Sequence, residues 1–189
     1  MPSTTITPLS YPPAGRILAS LPFIESEFVS DAQYAASATR KSLWGEWQAA
    51  VQLLQSVVPV AAVWLSGSFI SSKTDPEDVD AVFWVRDDLL EAARAADARN
   101  ASVIAAFSQG RGVFEHLTGL RVDTYLCAWR PNPTVAPRDW RDTEYQTQRG
   151  YWDDFWLRHR SGTKTDPPVP EDALPRRGYF EVLIDGYDY

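Results

Sequence analysis

Two acidic residues with one apolar residue between them open a strand-like stretch near the middle of the chain. Asp78 and Asp80 flank Val79, and the apolar run AVFWV follows at 81–85, a pattern that is typical of a strand. Side chains alternate faces along a strand, so both carboxylates should project from the same side. Adjacent carboxylates repel each other unless a cation lies between them, and oxygen ligands suit Mg²⁺. The pair therefore predicts a magnesium site.

A Gly67-Ser68 turn precedes these acids and follows the apolar run at 60–65. Gly67 can adopt backbone angles that are closed to other residues, so a ligand can approach the main chain closely. The N–H groups and the hydroxyl of such a turn can contact a phosphate. Lys73 lies in the next loop and is a further candidate for contacting a triphosphate; the alternative is a plain surface lysine.

A third acid, Asp123, lies within the strand-like run LRVDTYLC at 120–127. A carboxylate on a half-buried strand is costly unless it is paired or hydrogen-bonded. If this strand lies beside the one that carries Asp78 and Asp80, all three acids can reach one metal site. Two divalent ions held by three carboxylates can activate a triphosphate for nucleotidyl transfer. The alternative is that the acids are solvated at a sheet edge.

Size and composition exclude several classes of protein. The chain has 189 residues, 44% hydrophobic, with eight Trp, which predicts one globular domain with an ample core. The single Cys127 cannot form an internal disulfide, which fits a reducing cytoplasm, so we expect a cytoplasmic protein. One Cys and two His are too few ligands for a structural zinc site. No membrane span or signal peptide is evident. The net charge of −7 argues against non-specific nucleic-acid binding.

The predicted organisation has three parts. Residues 1–30 are rich in proline and read as an irregular arm, 31–129 form the catalytic core, and 130–189 form a C-terminal extension. We predict strands and helices at the following positions: strands at 60–65, 78–85, 120–127 and 178–184, and helices from Ser30 or Asp31 to Val58, after Asp87-Asp88, at about 101–107, and from Asp139 to about Arg158 with an interruption at Gly150.

Basic residues outside the acidic motif have two possible interpretations. Arg40 and Lys41 lie mid-helix and are either a solvated face or a contact to a substrate phosphate. A late cluster amid aromatic residues is suited to stacking a base and contacting phosphates, or is a helix with its arginines in water. This cluster consists of Arg149, Arg158, Arg160 and Lys164. His116 and His159 are candidate general bases or surface histidines.

The order of these motifs resembles the nucleotidyltransferase fold of the DNA polymerase beta superfamily. Its pattern is an apolar residue, Gly-Ser, a gap, acid-apolar-acid-apolar, and a third acid on a later strand. Leu65, the Gly67-Ser68 turn, DVDA at 78–81 and VDT at 122–124 meet that pattern. The stretch WLSGSFISSKTDPEDVDAVFWV is also similar to the core of a family of small bacterial and phage nucleotidyltransferase-like proteins. The likeness extends to YPPAGRILASLPFIESEF, RGYWDDFWLRHR and PRRGYFEVLI.

The resemblance implies an α/β (α+β) fold, a small mixed β-sheet flanked by helices, with an added C-terminal helix and strand. It implies a Mg²⁺-dependent enzyme that moves a nucleotide from an NTP, such as ATP, to an acceptor hydroxyl. Asp78 and Asp80 would bind two Mg²⁺ ions, Asp123 would complete the site, and Gly67 and Ser68 would hold the phosphates. The acceptor is open between RNA such as a tRNA end, a protein and a small molecule, and the acidity of the chain slightly favours the last two over RNA.

Small members of this superfamily suggest a toxin–antitoxin or phage-defence setting, which allows for a protein partner. The alternative is a non-catalytic, antitoxin-like or regulatory binding protein that keeps the fold. The complete set of Asp78, Asp80 and Asp123 argues for the enzyme, because a binding protein has no evident need for three costly carboxylates.

Overall fold

A computed structural model describes residues 9–131, 136–163 and 165–187. This part of the chain forms a mixed α/β structure in which helices cover both faces of a five-stranded sheet. The strands are β1 (Gly15–Ala19), β2 (Ala62–Ser66), β3 (Val79–Arg86), β4 (Val122–Trp129) and β5 (Gly178–Leu183). The α-helices are α1 (Leu21–Glu25), α2 (Arg40–Gln55), α3 (Asp87–Ala96), α4 (Ala98–Phe107), α5 (Arg111–Thr118) and α6 (Trp140–Leu157).

The strand directions gather most strand starts at one edge of the sheet. The order is β1-β5-β2-β3-β4; β2 runs antiparallel to β3 and β5, while β1 is parallel to β5 and β3 is parallel to β4. The end of β2 therefore lies at the same edge as the starts of the other four strands. We call this the acid edge, because Asp80 and Asp123 lie there.

The two faces of the sheet are covered by different helices. On one face, Phe107 of α4 packs edge-on against Phe83 of β3 at 5.0 Å between ring centroids. On the other face, Trp152 of α6 packs against Tyr125 of β4 at 4.3 Å. Because Asp123 and Tyr125 are two apart in β4, they share a face. Helix α6 therefore covers the face of the sheet that carries the acids.

The central strands confirm the sequence prediction. All five residues of β2 are buried, as expected for a continuous apolar run in the middle of a sheet. Strands β3, β4 and β5 occur within one or two residues of their predicted bounds. The odd-numbered residues of β3 from Val79 to Val85 are fully buried and face away from the acids, as the alternation predicts.

The predicted irregular arm was wrong for its described part. Residues Gly15–Ala19 form β1, which pairs in parallel with β5, and Leu21–Glu25 form α1, capped by the Ser20 hydroxyl. Burial alternates along β1, which makes it a half-exposed edge strand. The sequence did not predict β1, because prolines precede Gly15 and because the partner strand β5 lies near the other end of the chain.

The helices differ from the sequence predictions at three points. The long helix begins at Arg40 rather than at Ser30 or Asp31, because Asp31 instead caps the short turn 32–34 through the Gln33 N–H. Helix α6 continues through Gly150 without interruption, since nothing crowds an exposed glycine there. Helix α5 was not predicted. No helix in the described ranges is long and apolar enough to cross a membrane.

Candidate active site

The pairing of β3 with β4 places two of the three predicted acids side by side. Asp80 and Asp123 are direct partners in the parallel register. Neighbouring strands are about 4.8 Å apart, so the two side chains leave adjacent positions on the same face. Both residues are partly exposed, in contrast to the buried residues on either side of them. The predicted pairing of the two strands is therefore confirmed, and it makes Asp80 and Asp123 neighbours on one face.

The Gly67 backbone lies directly against the Asp80 carboxylate. Its φ of 74° and ψ of −161° belong to a region that is nearly closed to other residues. A Cβ atom built on Gly67 would overlap the Asp80 Oδ2 atom. Glycine is thus required here for two reasons, the backbone angles and the close approach of the acid. The turn and the acid are one unit in space, although 12 residues separate them in the chain.

Ser66 is a member of this site that the sequence reasoning missed. It ends β2 and is the register partner of Asp80 on the side away from Asp123. Its Oγ is buried and has no hydrogen-bond partner among the described residues. Ser66, Asp80 and Asp123 form a row across three neighbouring strands, which we call the acid row. The alternation of side chains along β2 was the signal in the sequence that could have identified Ser66.

Tyr125 is the second residue that the sequence reasoning missed. Its hydroxyl donates a 3.0 Å hydrogen bond to the Asp123 Oδ2 atom. Burial, followed by the negative charges of Asp123 and Asp80, raises the pKa of Tyr125. The phenol therefore stays protonated and fixes one oxygen of Asp123. Its position two residues after Asp123 was the available signal, because this spacing places both side chains on one face.

Asp78 immediately precedes β3 and is partly exposed. The donor set of Asp78, Asp80 and Asp123 consists of carboxylate oxygens, which are suitable for Mg²⁺. Among the described residues, no three His, Cys, Asp or Glu side chains are already gathered into a metal-binding group. Carboxylates repel one another, so drawing these three together requires the cation itself. The residues fit Mg²⁺ in donor type and in their placement at the acid edge.

The turn continues into a loop that we call the Gly-Ser loop, residues 67–74. Ser68 starts a single 3₁₀ turn that ends at Ile70, and its carbonyl accepts hydrogen bonds from the backbone N–H and hydroxyl of Ser71. Gly67 and Ser68 are both partly exposed at the acid edge. Lys73 was a candidate for contacting a triphosphate. Its ammonium group lies 3.5 Å from the Glu77 carboxylate, so the two side chains form an ion pair.

Arg40 is buried against the Gly-Ser loop and hydrogen-bonds to its backbone. It is 1% exposed, and its guanidinium stacks on the Tyr34 ring at 3.6 Å from the centroid. Its five N–H donors point at five backbone carbonyls, those of Phe28, Phe69, Ser71, Lys73 and Thr74. Both interpretations of Arg40 were therefore wrong, since it is neither solvated nor available to a phosphate. It is a positioning residue for the loop.

The late basic cluster separates into two parts. Arg149 lies among aromatic rings, 5.1 Å from the Trp64 centroid, and its guanidinium is 3.8 Å from the Glu181 carboxylate. Arg158 and Arg160 are exposed beyond the end of α6, near the acid edge. Lys164 lies outside the described residues. His116 is exposed in the last turn of α5, and Cys127 is buried, as expected for a core residue.

The comparison with protein-family models is decisive for family membership. The model described as "Family of unknown function (DUF6932)" matches residues 5–182, which is nearly the whole chain. The chain belongs to this family. No match was found among the curated proteins or among the solved structures. The family match spans the whole acid row, the Gly-Ser loop and Arg40.

Proposed function

We propose that this family member is a Mg²⁺-dependent nucleotidyltransferase, which moves a nucleotide from an NTP to an acceptor hydroxyl. One observation carries the proposal: Asp80 and Asp123 are register partners on one face, and Asp80 lies against the strained Gly67 turn. A structural sheet edge does not need two adjacent carboxylates, which repel each other. A phosphate-binding turn beside them is the arrangement that a triphosphate with its cations would require.

Each residue of the site has a distinct role in the proposed reaction. Asp78 and Asp80 would hold the two Mg²⁺ ions, and Asp123 would complete the ligand set. When bound, Mg²⁺ would neutralise the triphosphate and polarise the α-phosphorus. Gly67 offers its backbone, and Ser68 its N–H and hydroxyl, to the β- and γ-phosphates.

The proposed transfer exchanges one P–O bond for another. The acceptor oxygen bonds to the α-phosphorus while the bond to the leaving pyrophosphate breaks. The proton of the acceptor hydroxyl passes to Asp123, whose other oxygen accepts a hydrogen bond from Tyr125. That hydrogen bond keeps the Asp123 carboxylate oriented for accepting this proton. Most of the rate enhancement comes from positioning and charge neutralisation.

The same arrangement supports membership of the DNA polymerase beta superfamily. A glycine-serine turn ends one strand. The next strand is antiparallel, with one acid just before its start and one at its second residue, and the third acid lies on a parallel neighbour. We propose the nucleotidyltransferase fold for this sheet, with α6 and β5 as the C-terminal addition. A cytoplasmic toxin–antitoxin or phage-defence setting remains part of this proposal, together with a partner protein.

The test is transfer of label from each α-³²P-labelled NTP in the presence of Mg²⁺ and cell extract. The wild type should label RNA, protein or a small molecule, and Asp80→Asn should abolish the label while the fold is retained. Glu25→Gln is the matched control, because it makes the same change at an exposed carboxylate outside the acid row.

Two results would overturn the proposal. One is an absence of label with every NTP, combined with recovery of a tight complex by pull-down, which would identify a binding protein. The other is equal label transfer by the wild type and Asp80→Asn, which would place the chemistry elsewhere.

A further inference from the structure

A large cleft opens at the acid edge, between the end of α6 and the start of β5. Its volume is about 690 Å³, which lies within the range of ligand pockets, about 300–1,000 Å³. Tyr11 and Phe155 line it, together with residues from the segments 158–162 and 168–177. We call it the basic cleft, because Arg158, Arg160 and Arg177 line it.

The charge of this cleft is opposite to that of the whole chain. Its lining contains one carboxylate, Asp172, beside the three arginines. The backbone N–H groups of Ser161 and Val169 hydrogen-bond to that carboxylate, and such bonds lower the pKa of Asp172. The carboxylate is thus already engaged with the protein. Arg158 is also ion-paired with Asp154 in the last turn of α6, but this pair is exposed, and such pairs are worth little in water. The lining therefore has more arginines than carboxylates, in a chain of net charge −7, and this excess of positive charge suits an anionic ligand.

Tyr11, which lines the cleft, follows a residue that is hydrogen-bonded to the Gly-Ser loop. Ser10 and Ser72 exchange hydrogen bonds, 2.8 Å to the Ser72 Oγ and 2.9 Å to the Ser10 carbonyl. The next residue, Tyr11, places its ring 5.3 Å from the His159 ring, and the Arg177 guanidinium lies 5.2 Å from the Tyr11 centroid. The basic cleft therefore adjoins the Gly-Ser loop at Ser72.

Phe155, which also lines the cleft, is linked to the acid row by a series of aromatic contacts. Tyr125, which binds Asp123, contacts Trp152, and Trp152 contacts Phe155 at 6.0 Å between centroids. Phe155 lines the cleft and stacks with Tyr151 at an interplanar angle of 3°. Both outer rings are at least half exposed, at 50% and 56%. Exposed, parallel rings beside arginines suit the stacking of nucleobases.

We propose that the basic cleft binds a phosphate-bearing nucleotide unit of the acceptor, an inference that rests on the proposed nucleotidyl transfer. The phosphates contact Arg158, Arg160 and Arg177, and a base stacks on Phe155 or Tyr151. The acceptor hydroxyl then points along the aromatic rings toward Asp123. This chemistry is shared by a single-stranded RNA end and by a free nucleotide, whereas a protein or an uncharged small molecule lacks it.

A second cavity, of about 250 Å³ at the opposite edge, also has arginines and aromatic rings on its lining, but its three carboxylates balance its three arginines. Its Arg130 is paired with Asp87 at 2.8 Å, and its Arg141 with Glu91 at 2.6 Å. These cations are therefore neutralised by carboxylates of the protein, and the cavity lies at the far end of β3 and β4. It does not compete with the basic cleft as a phosphate site.

The test is binding of a fluorescein-labelled, single-stranded RNA ten-mer, measured by anisotropy in EDTA so that no transfer can occur. The wild type should bind, and the double variant Arg158→Gln/Arg160→Gln should bind at least about tenfold more weakly. Its slope of log Kd against log salt should fall by about 1.4, which is about 0.7 for each lost phosphate contact. Arg94→Gln/Arg99→Gln removes the same charge from exposed positions on α3 and α4 and should bind like the wild type.

Competition with 5′-AMP separates the two sources of the ligand. Displacement by AMP at concentrations near the RNA Kd assigns a free nucleotide, and displacement only at far higher concentrations assigns a strand; either result supports the cleft. The inference is overturned if the wild type does not bind RNA or AMP, or if both double variants weaken binding equally.

The Asp80→Asn variant distinguishes this inference from the proposed function. It should lose transfer and keep RNA binding. Binding without any transfer by the wild type would refute the enzyme and leave the nucleotide site standing. Label transfer to protein, without RNA or AMP binding, would refute the cleft alone.

Discussion

Replacing Arg40 by methionine removes the support of the Gly-Ser loop while it keeps an unbranched side chain in the same space. The substitution leaves five backbone carbonyls without their guanidinium donor. Two of these hydrogen bonds, to Phe69 and Ser71, lie in fully buried surroundings, and the other three are partly exposed. Water can replace the donor at the partly exposed carbonyls but not at the buried ones.

The magnitude follows from the two buried acceptors. A buried group left without a partner costs about 1–3 kcal/mol, so two such groups cost about 2–6 kcal/mol. The Ser71 carbonyl keeps one hydrogen bond, because the Tyr34 hydroxyl also donates to it at 2.8 Å. Burial lowers the pKa of Arg40, so its removal also relieves a buried charge. We expect a loss of about 3 kcal/mol in the free energy of unfolding, within the lower half of that range.

The assay is urea and thermal unfolding followed by circular dichroism. For a chain of this size, about 3 kcal/mol corresponds to a fall in Tm of about 6–12 °C. Lys41→Met is the matched control, since it removes one positive charge from an exposed position on the same helix and should change stability little. Arg40→Lys should be intermediate, because an ammonium has three donors for the five carbonyls. Equal midpoints for Arg40→Met and Lys41→Met would refute the reasoning.

Two further substitutions test local features of the fold. Gly67→Ala should lower the free energy of unfolding by about 1–3 kcal/mol through backbone strain, and it should displace the Asp80 carboxylate. Gly45→Ala is the control, because this glycine has open space around it on α2, and it should raise the free energy of unfolding by about 0.5–1 kcal/mol. Equal effects of the two substitutions in urea unfolding would contradict this. The hydrogen bonds from Arg121 lower the pKa of Glu46 from 4.5, so their stabilisation is present above that pH and is lost as the pH falls through the folded pKa. Glu46→Gln should therefore lower the free energy of unfolding by about 1–2 kcal/mol at pH 7. In unfolding curves measured at a series of pH values, this difference from the wild type should shrink below pH 4.5. A difference that stays constant with pH would rule out the ion pair as the cause.

The acid motif could be read from the sequence because its periodicity is local. The spacing of Asp78 and Asp80 and the buried run before Gly67 define strands and faces without knowledge of the fold. The same local logic extends to β5, whose apolar run is continuous. It failed at β1, an edge strand that is half exposed and depends on a partner near the other end of the chain.

Charged side chains show the limit of local reasoning most clearly. The sequence shows Arg40 and Lys41 as equivalent neighbours, yet the first is buried under the loop and the second is exposed. Only the packing of α2 beneath residues 69–74 separates them, since a guanidinium can be buried where five carbonyls meet it. Arg149 and Arg158 likewise belong to one cluster in the sequence and to two environments in space.

The residue types of the site, and the side of each strand that they occupy, follow from the sequence alone, because side-chain alternation is a property of a single strand. Three relations depend on the folded chain: Asp123 is the neighbour of Asp80, the Asp80 carboxylate occupies the space of a Gly67 Cβ, and a basic cleft lies at the same edge of the sheet. These relations join segments far apart in the chain, and the direction and order in which the strands pair fix them.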